Sequence, residues 1–359
     1  MTDILDLLRL AKEKEASDLH LVVGAPPMAR IYGELEYFEG QPKLSPEKIE
    51  EALATLATAE QQEEFHRTLE LDFGLSLPKI GRLRCNAAKQ RGHISFAIRL
   101  LPPVVPSIDG LELPELFKDL ALRHHGLAIV SGPTGSGKTT TLAAMIRHIN
   151  ANRTCHVVTI EDPIEYAHPN EKSAITQRQL GTDTLSYTTA LRHVLRQDPD
   201  VILIGEMRDL DTASAALTVA ETGHLVLTTG HATGAPQAIE RVTGLFPPAQ
   251  RNLAQIRLAS LLIAVLGQTL VPRADGSGRI AAVEIMLGSS AVKNLVREGK
   301  IHQLHNVIRT SMQDGMMTMD QSLANLYLQG TITGETLVRF CNNLEEVEDI
   351  VGSIPLLRG

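Results

Sequence analysis

The sequence predicts an α/β protein: a small N-terminal α+β domain, then a larger P-loop domain built on a parallel sheet, closed by a C-terminal helical subdomain. Three observations carry that expectation. After two helical patterns, the apolar residues from Leu69 to Leu100 alternate with period two. From Gly110 to about residue 280 short apolar runs alternate with helical patterns. Between the two lies the proline-rich stretch Leu101-Pro102-Pro103-Val104-Val105-Pro106. Strict alternation marks a sheet with one wet face, whereas continuous apolar runs between helices mark parallel strands covered on both sides.

In the N-terminal part, Ile4, Leu7, Leu8 and Ala11 recur at helical spacing. Ser45 as N-cap and Pro46 at the first helical position open a second helix carrying Ile49, Leu53, Leu56 and Ala57. Three alternating runs follow, Leu69 to Leu77, Leu83 to Ala87 and Ile94 to Leu100, the last two joined by the hairpin signal Lys89-Gln90-Arg91-Gly92. Arg82, Arg84 and Arg99 all fall on the polar parity of these strands. A solvated sheet face and a convergent phosphate-binding face both fit that placement. Prolines hold the linker extended, so the expected division is 1–100, linker 101–107, core 108–280 and helical subdomain 281–359.

The core is organised by Gly132-Pro133-Thr134-Gly135-Ser136-Gly137-Lys138-Thr139, a complete G-x-x-x-x-G-K-T loop. The apolar run Leu127-Ala128-Ile129-Val130 precedes it. Leu142, Met145, Ile146 and Ile149 follow at helical spacing, so bound phosphates would sit at a helix N-terminus. Backbone N–H groups of such a loop turn inward around a polyphosphate, the lysine reaches the β- and γ-phosphates, and the threonine hydroxyl ligates Mg²⁺. Every residue of the loop, with the adjoining Thr140, is therefore a candidate ATP contact, and Thr139 a candidate metal ligand.

A P-loop needs acids for Mg²⁺ and for an attacking water. Cys155–Ile160, Val201–Gly205 and His224–Thr229 read as further strands. Val201-Ile202-Leu203-Ile204-Gly205-Glu206 ends in an acid, with Gly205 where an aspartate ligand is common, so Glu206 falls to the metal; helix capping is the alternative. Thr159-Ile160-Glu161-Asp162-Pro163-Ile164-Glu165 places three carboxylates where a strand ends, which is where ligands bind in open α/β sheets. Glu161, Asp162 and Glu165 are candidates for Mg²⁺ or water positioning, with a solvated acidic turn as the alternative. His224 and His231 bracket one strand, suggesting phosphate sensing; no third ligand at zinc spacing accompanies them.

Composition narrows the partners. Among 359 residues, aromatics are 3% and tryptophan is absent, which argues against a base-stacking nucleic-acid platform; the net charge of −8 agrees. Cys85, Cys155 and Cys341 are too scattered for a structural zinc site and point to reduced thiols in a cytosol. Asp3 and Asp6, without a basic stretch, predict no signal peptide. The most apolar stretch, Leu258 to Val271, spans about 14 residues, too few for a bilayer, and is expected to be a core helix.

Four elements in fixed order then resemble one family, the secretion ATPases of type IV pilus and type II secretion systems. GPTGSGKTTT resembles their Walker A, TIEDPIEY their Asp box, DPDVILIGEMRD their atypical Walker B and AETGHLVLTTGH their His box. Ala16 to Leu21 resembles the first strand of the family's PAS-like N-terminal domain, which precedes a RecA-like core. The short N-terminal domain, the absent tetracysteine motif and Ala291-Val292-Lys293-Asn294-Leu295-Val296 are similar to the pilus retraction ATPases, the PilT family. The segment after the second histidine departs: the family reads T-L-H-T-N-T-A where this chain has Thr229-Gly230-His231-Ala232-Thr233-Gly234-Ala235.

The resemblance implies a homohexameric ring at the cytoplasmic face of the inner membrane that hydrolyses ATP and turns a membrane platform protein to withdraw pilins. It implies Glu165 as catalytic base, Glu206 assisting Mg²⁺, and Arg84 and Arg99 as phosphate ligands; with the residue reading above, His231 stands as a catalytic candidate and His224 as a nucleotide contact. An accessory retraction ATPase of the PilU kind, working with a paralogue, and an assembly or secretion ATPase are the alternatives within the family. Outside it stand a nucleic-acid motor, disfavoured by the acidic balance, and a small-molecule kinase, which leaves the His box without a role.

Overall fold

The computed structural model describes residues 3–31, 34–101 and 104–352. Pro102 and Pro103 of the expected linker, and residues 353–359, lie outside them. The chain forms two compact units: Met1–Val104 with Pro163–Ala167, and Val105–Asp162 with His168–Gly359.

The first unit is an antiparallel sheet of six strands, β1 (Asp18–Leu21), β2 (Met28–Ile31), β3 (Glu34–Tyr37), β4 (Glu70–Leu77), β5 (Gly81–Gln90) and β6 (His93–Leu100), in the order β3-β2-β1-β6-β5-β4. Helices Ile4–Glu13, Pro46–Leu56 and Ala59–Thr68 share one core with it, where Leu8, Ile49 and Phe65 join Leu19, Cys85 and Ile98. The hairpin forms as its residues predict: Gln90 pairs with His93, and Arg91 and Gly92 take positive φ of 49° and 82°. Ser45 caps its helix by accepting from the Lys48 N–H at 3.4 Å.

The second unit holds seven strands, β7 (Gly126–Ser131), β8 (His156–Glu161), β9 (Ala174–Gln179), β10 (Val201–Ile204), β11 (Leu225–Gly230), β12 (Leu262–Pro272) and β13 (Arg279–Leu287). Their order is β13-β12-β7-β11-β10-β8-β9; all neighbours run parallel except β12 and β13. The buried runs at β7, β10 and β11 place Ala128, Leu203 and Leu227 against one layer of helices and Ile129, Ile202 and Val226 against another. Phosphate-side residues thus follow β7, β8, β10 and β11 at one common edge.

One expectation is corrected here. Leu258–Val271 is not a core helix: the helix Pro248–Leu261 stops, and β12 starts at Leu262. Sandwiched between β7 and β13 and covered on both faces, β12 has no wet side to impose alternation, so its composition alone could not separate strand from helix. Its partner β13 carries the sheet on to Leu287. The closing helices begin at Ser290, later than residue 281, and several of them pack a small core of Leu323, Leu337 and Val347 against Val271 and Ile280.

A candidate nucleotide site at the edge of the parallel sheet

The loop after β7 is shaped by close approach. A Cβ on Gly132 would stand 2.2 Å from the Gln268 carbonyl oxygen and 2.6 Å from Ser136 Oγ, so nothing larger fits. Gly137 takes φ 86° as N-cap of the helix Lys138–Asn152 and turns the chain so that this helix starts beneath the loop. Lys138 is buried, and its Nζ donates to the Gly132 and Pro133 carbonyls at 2.8 and 2.9 Å. Burial lowers its pKa, and the Glu206 carboxylate works in the opposite direction.

The acid of the third box follows β10. Glu206 is buried, and its two carboxylate oxygens are divided: Oε1 takes Arg208 Nε at 2.5 Å, and Oε2 lies 3.0 Å from His231 Nε2. His231 follows β11, two strands from β8 and beside β7, so the Walker A, Walker B and second histidine converge. Gly205 sits where it does for a reason the sequence could not give. A Cβ there would stand 2.8 Å from the Tyr187 hydroxyl and 3.3 Å from the Ile160 carbonyl, so an aspartate would have to displace the phenol. Burial, with Asp162 and Glu206 nearby, pushes that phenol's pKa up, keeping Tyr187 neutral beside the acids.

The Asp box divides. Glu161 is buried at the end of β8, and its Oε1 accepts from Thr159 Oγ1 at 2.6 Å and Gln177 Nε2 at 3.1 Å, tying it to β8 and β9. Asp162 is exposed at the same edge. Glu165 lies in the stretch Pro163–Ala167 that groups with the first unit.

Two expectations change. His224 is not at this edge: it precedes β11, at the opposite end of the sheet from His231, roughly 20 Å away at strand rise. There its Nδ1 lies 2.9 Å from Thr222 Oγ1 and 3.1 Å from the Val219 carbonyl oxygen, bonds that close the preceding helix. The two histidines bracket a strand, and a strand's two ends are far apart. Arg84 and Arg99 are also unequal. They are register partners across β5 and β6, but Arg99 Nε donates to Asp18 Oδ1 at 2.9 Å, whereas Arg84 makes no ion pair among the described residues.

Sequence reading missed Gln268. From β12 it donates through Nε2 to the Ser136 carbonyl at 2.7 Å and accepts from Thr141 Oγ1 at 2.8 Å, lashing the loop to the sheet. Only a tertiary neighbour identifies it. Beside it opens a cavity of about 320 Å³ walled by Leu111, Leu113, Leu270 and Ile280 and bordered by Gly137 and Thr140. An Arg273–Glu112 ion pair stands among its lining residues.

The donor set fits Mg²⁺ with a nucleotide better than a free metal. No group of three His, Cys, Asp or Glu side chains among the described residues could hold an ion. Mg²⁺ commonly takes one or two protein oxygens and completes its shell with phosphate and water, and Thr139 and Glu206 offer that many. Ser136 Oγ, buried in the loop with no hydrogen-bond partner, is a polar atom that a phosphate would satisfy.

Comparison with known proteins agrees with this geometry. Residues 107–339 match the family described as "Type II/IV secretion system protein". The chain is 41% identical over 333 residues to the type IV pilus retraction ATPase PilT of Pseudomonas aeruginosa, covering 93% of this chain and 96% of that one. It is also 41% identical over 341 residues to the type IV pilus ATPase PilU of the same organism, covering 95% and 89%. A crystal structure of the pilus retraction motor PilT with bound ADP superposes with a TM-score of 0.91 at 39% identity, covering 97% of this chain and 100% of that one. With the family matched across most of its length and the loop, acid and histidine in place, the chain belongs to the type II/IV secretion system protein family.

Proposed function

We propose that this chain is a Mg²⁺-dependent ATPase that drives type IV pilus retraction, working as a homohexamer on an inner-membrane platform protein. The observation that carries the reading is the shared edge where Lys138, Thr139, Glu206 and His231 meet. Full-length likeness to a retraction motor crystallised with ADP supports the nucleotide and the task. No helix among the described residues is long and apolar enough to cross a membrane.

In this reading the loop N–H groups and Lys138 hold the β- and γ-phosphates, and the cavity beside Gly137 takes the nucleoside. Mg²⁺, held through Thr139 and Glu206, would neutralise charge that builds on the phosphates. His231 fixes the rotamer of Glu206. Glu165 takes the proton of the attacking water, and Arg84 and Arg99 supply positive charge from the first unit. Glu161 and Asp162 stay near the ion, Glu161 tied to β8 and β9 by its Oε1 and Asp162 exposed beside it.

The test is turnover with water as acceptor, on wild type, Lys138→Ala and Glu165→Gln. Lysine removal should abolish nucleotide binding and turnover together. Glu165→Gln should bind nucleotide and lose roughly 10²-fold or more in rate. Wild-type rates in Glu165→Gln would overturn the assignment of the base. An accessory, PilU-like role is the second reading, favoured by equal identity to both pseudomonad proteins. Twitching restored by this chain in a strain lacking both retraction ATPases would exclude it.

A further inference from the structure

His231 opens a short connection, His231 to Gly234, between β11 and the helix Ala235–Gly244. Such a connection needs to be held at both ends if the imidazole is to meet Glu206 reproducibly. One end is held by Ser131, the last residue of β7: its Oγ donates to the Ala232 carbonyl at 2.8 Å and accepts from the Ala232 N–H at 3.0 Å. At the other end the ordinary device is missing. Gly234 is the N-cap of the following helix, with φ −144° and ψ 172°, and has no side chain with which to cap it.

The missing group comes from another strand. Glu284, buried on β13, accepts the Ala235 N–H on Oε1 at 2.5 Å. The same carboxylate is stabilised by the backbone N–H of Met319, the first residue of the helix Met319–Leu328. One buried acid therefore sits at two helix N-termini, where the positive ends of both dipoles favour its charge. Space around it is tight. A Cβ on Gly267 would stand 3.1 Å from Glu284 Cβ, and one on Gly234 would stand 3.1 Å from Glu284 Oε1.

We propose that Glu284 is a positioning residue for the ATPase site: it caps in trans the helix that Gly234 cannot cap, and thereby holds His231 against Glu206. The inference rests on the ATPase reading above. Among the described residues the hydrogen bonds of Glu284 go to Ala235 and Met319 and not to the P-loop or Glu206, so the expected effect is on the rate of the bound complex. Burial raises its pKa while the Ala235 N–H and the cationic form of His305 oppose the shift; Asp320 adds to it, and Glu346 stands against Asp320 and His305. A carboxylate kept at such a site despite its desolvation is consistent with a task beyond packing.

The experiment measures kcat, KM for ATP and thermal stability of the full-length protein for three variants. Glu284→Ala should lower kcat by about tenfold, because a misplaced group loses rate without losing ground-state contacts, and should change KM by less than about threefold. Glu284→Gln retains an oxygen for the Ala235 N–H and should recover part of the rate. The decisive variant is Gly234→Ser in the Glu284→Ala background. Gly234 has extended backbone that any residue adopts, and a serine there accepts from the Gln237 N–H and so holds the same helix end by a different bond, so kcat should rise in part. Should Glu284→Ala fail to fold, Glu284→Gln and the double variant carry the same comparison. Wild-type kcat in Glu284→Ala, or a double variant that regains thermal stability but not rate, overturns the proposal. Absence of turnover in the wild-type protein would overturn the ATPase reading and this one with it, whereas wild-type turnover with an unaffected Glu284→Ala overturns this one alone.

Discussion

Glu206 and His231 meet at 3.0 Å across two neighbouring strands of one sheet, and Arg208 occupies the other oxygen of the same carboxylate. The acid is therefore held from both sides before any ligand arrives. Glu206→Gln keeps the shape but loses the charge that pairs with Arg208 and acts on Lys138, so turnover should fall by about 10²-fold while nucleotide still binds. His231→Ala removes only the orienting contact and should cost less. Comparing kcat of the two variants checks the order; a more severe loss in His231→Ala would make the histidine the chemical group.

Gln268 should matter to the loop more than its position on a distant strand suggests. Gln268→Ala leaves the Ser136 carbonyl and the Thr141 hydroxyl without their partner in a buried place. That should cost about 1–3 kcal/mol of stability and weaken nucleotide binding as the loop loosens. Unfolding titrations and nucleotide Kd check both. A stability loss with unchanged Kd would leave Gln268 a packing residue.

How much of this was readable beforehand depends on range. The loop, the strands on either side and the hairpin at Arg91-Gly92 are local patterns, and each appears where its residues place it. The helix Ala59–Thr68 was missed because Phe65 is its one buried residue, leaving no stripe to read. β12 was taken for a helix because burial on both faces removes the two-residue period. Within the site, Lys138 and Glu206 follow from motif and strand end. Gln268 and Glu284 act through partners more than 30 residues away, and no spacing announces them. His224 and His231 flank one strand, and the length of β11 sets them far apart, which adjacency in sequence does not reveal.

Arg84 and Arg99 should separate on mutation. They face each other across β5 and β6, and like charges in directly opposed positions are unfavourable unless an anion joins them. Arg84→Ala should cost no stability within about 0.5 kcal/mol, or even add some, yet cut turnover steeply if phosphate is its partner. Arg99→Ala also breaks the Asp18 pair, but the guanidinium is exposed, so the loss should stay within about 1 kcal/mol. Equal melting temperatures with wild-type activity would make the face a solvated one.

The same pair sets a pH dependence. Burial raises the Asp18 pKa, but the Ser17 hydroxyl and the Arg99 guanidinium outweigh it and hold the carboxyl below its ordinary value of 3.8. A depressed folded-state pKa contributes stability that is present above 3.8 and lost as pH falls through the folded value. Asp18→Asn should therefore flatten the acid limb of the stability curve while leaving neutral-pH turnover nearly unchanged. Acid titrations of the two proteins that coincide would remove Arg99 and Ser17 as the cause.

The last prediction concerns where force leaves the ATPase. The helix Ser290–Arg297, the segment similar to that of retraction ATPases, buries Val292 and Val296 completely and half-buries Leu295, so polar residues at those positions would report unfolding and not function. Ala291 and Asn294 lie on its exposed side. Replacing both with aspartate adds charge to a surface that makes no contact with the P-loop, and should leave ATPase rate within about twofold. If that surface delivers work to a partner, twitching should be lost while the ring persists. A closed ring of six 39.1 kDa chains would have a mass of about 235 kDa. Rate, mass and motility measured together decide the matter: intact motility in the doubly charged variant would sink the proposed output surface, and a protein that stays monomeric with ATP at micromolar concentration would sink the ring motor itself.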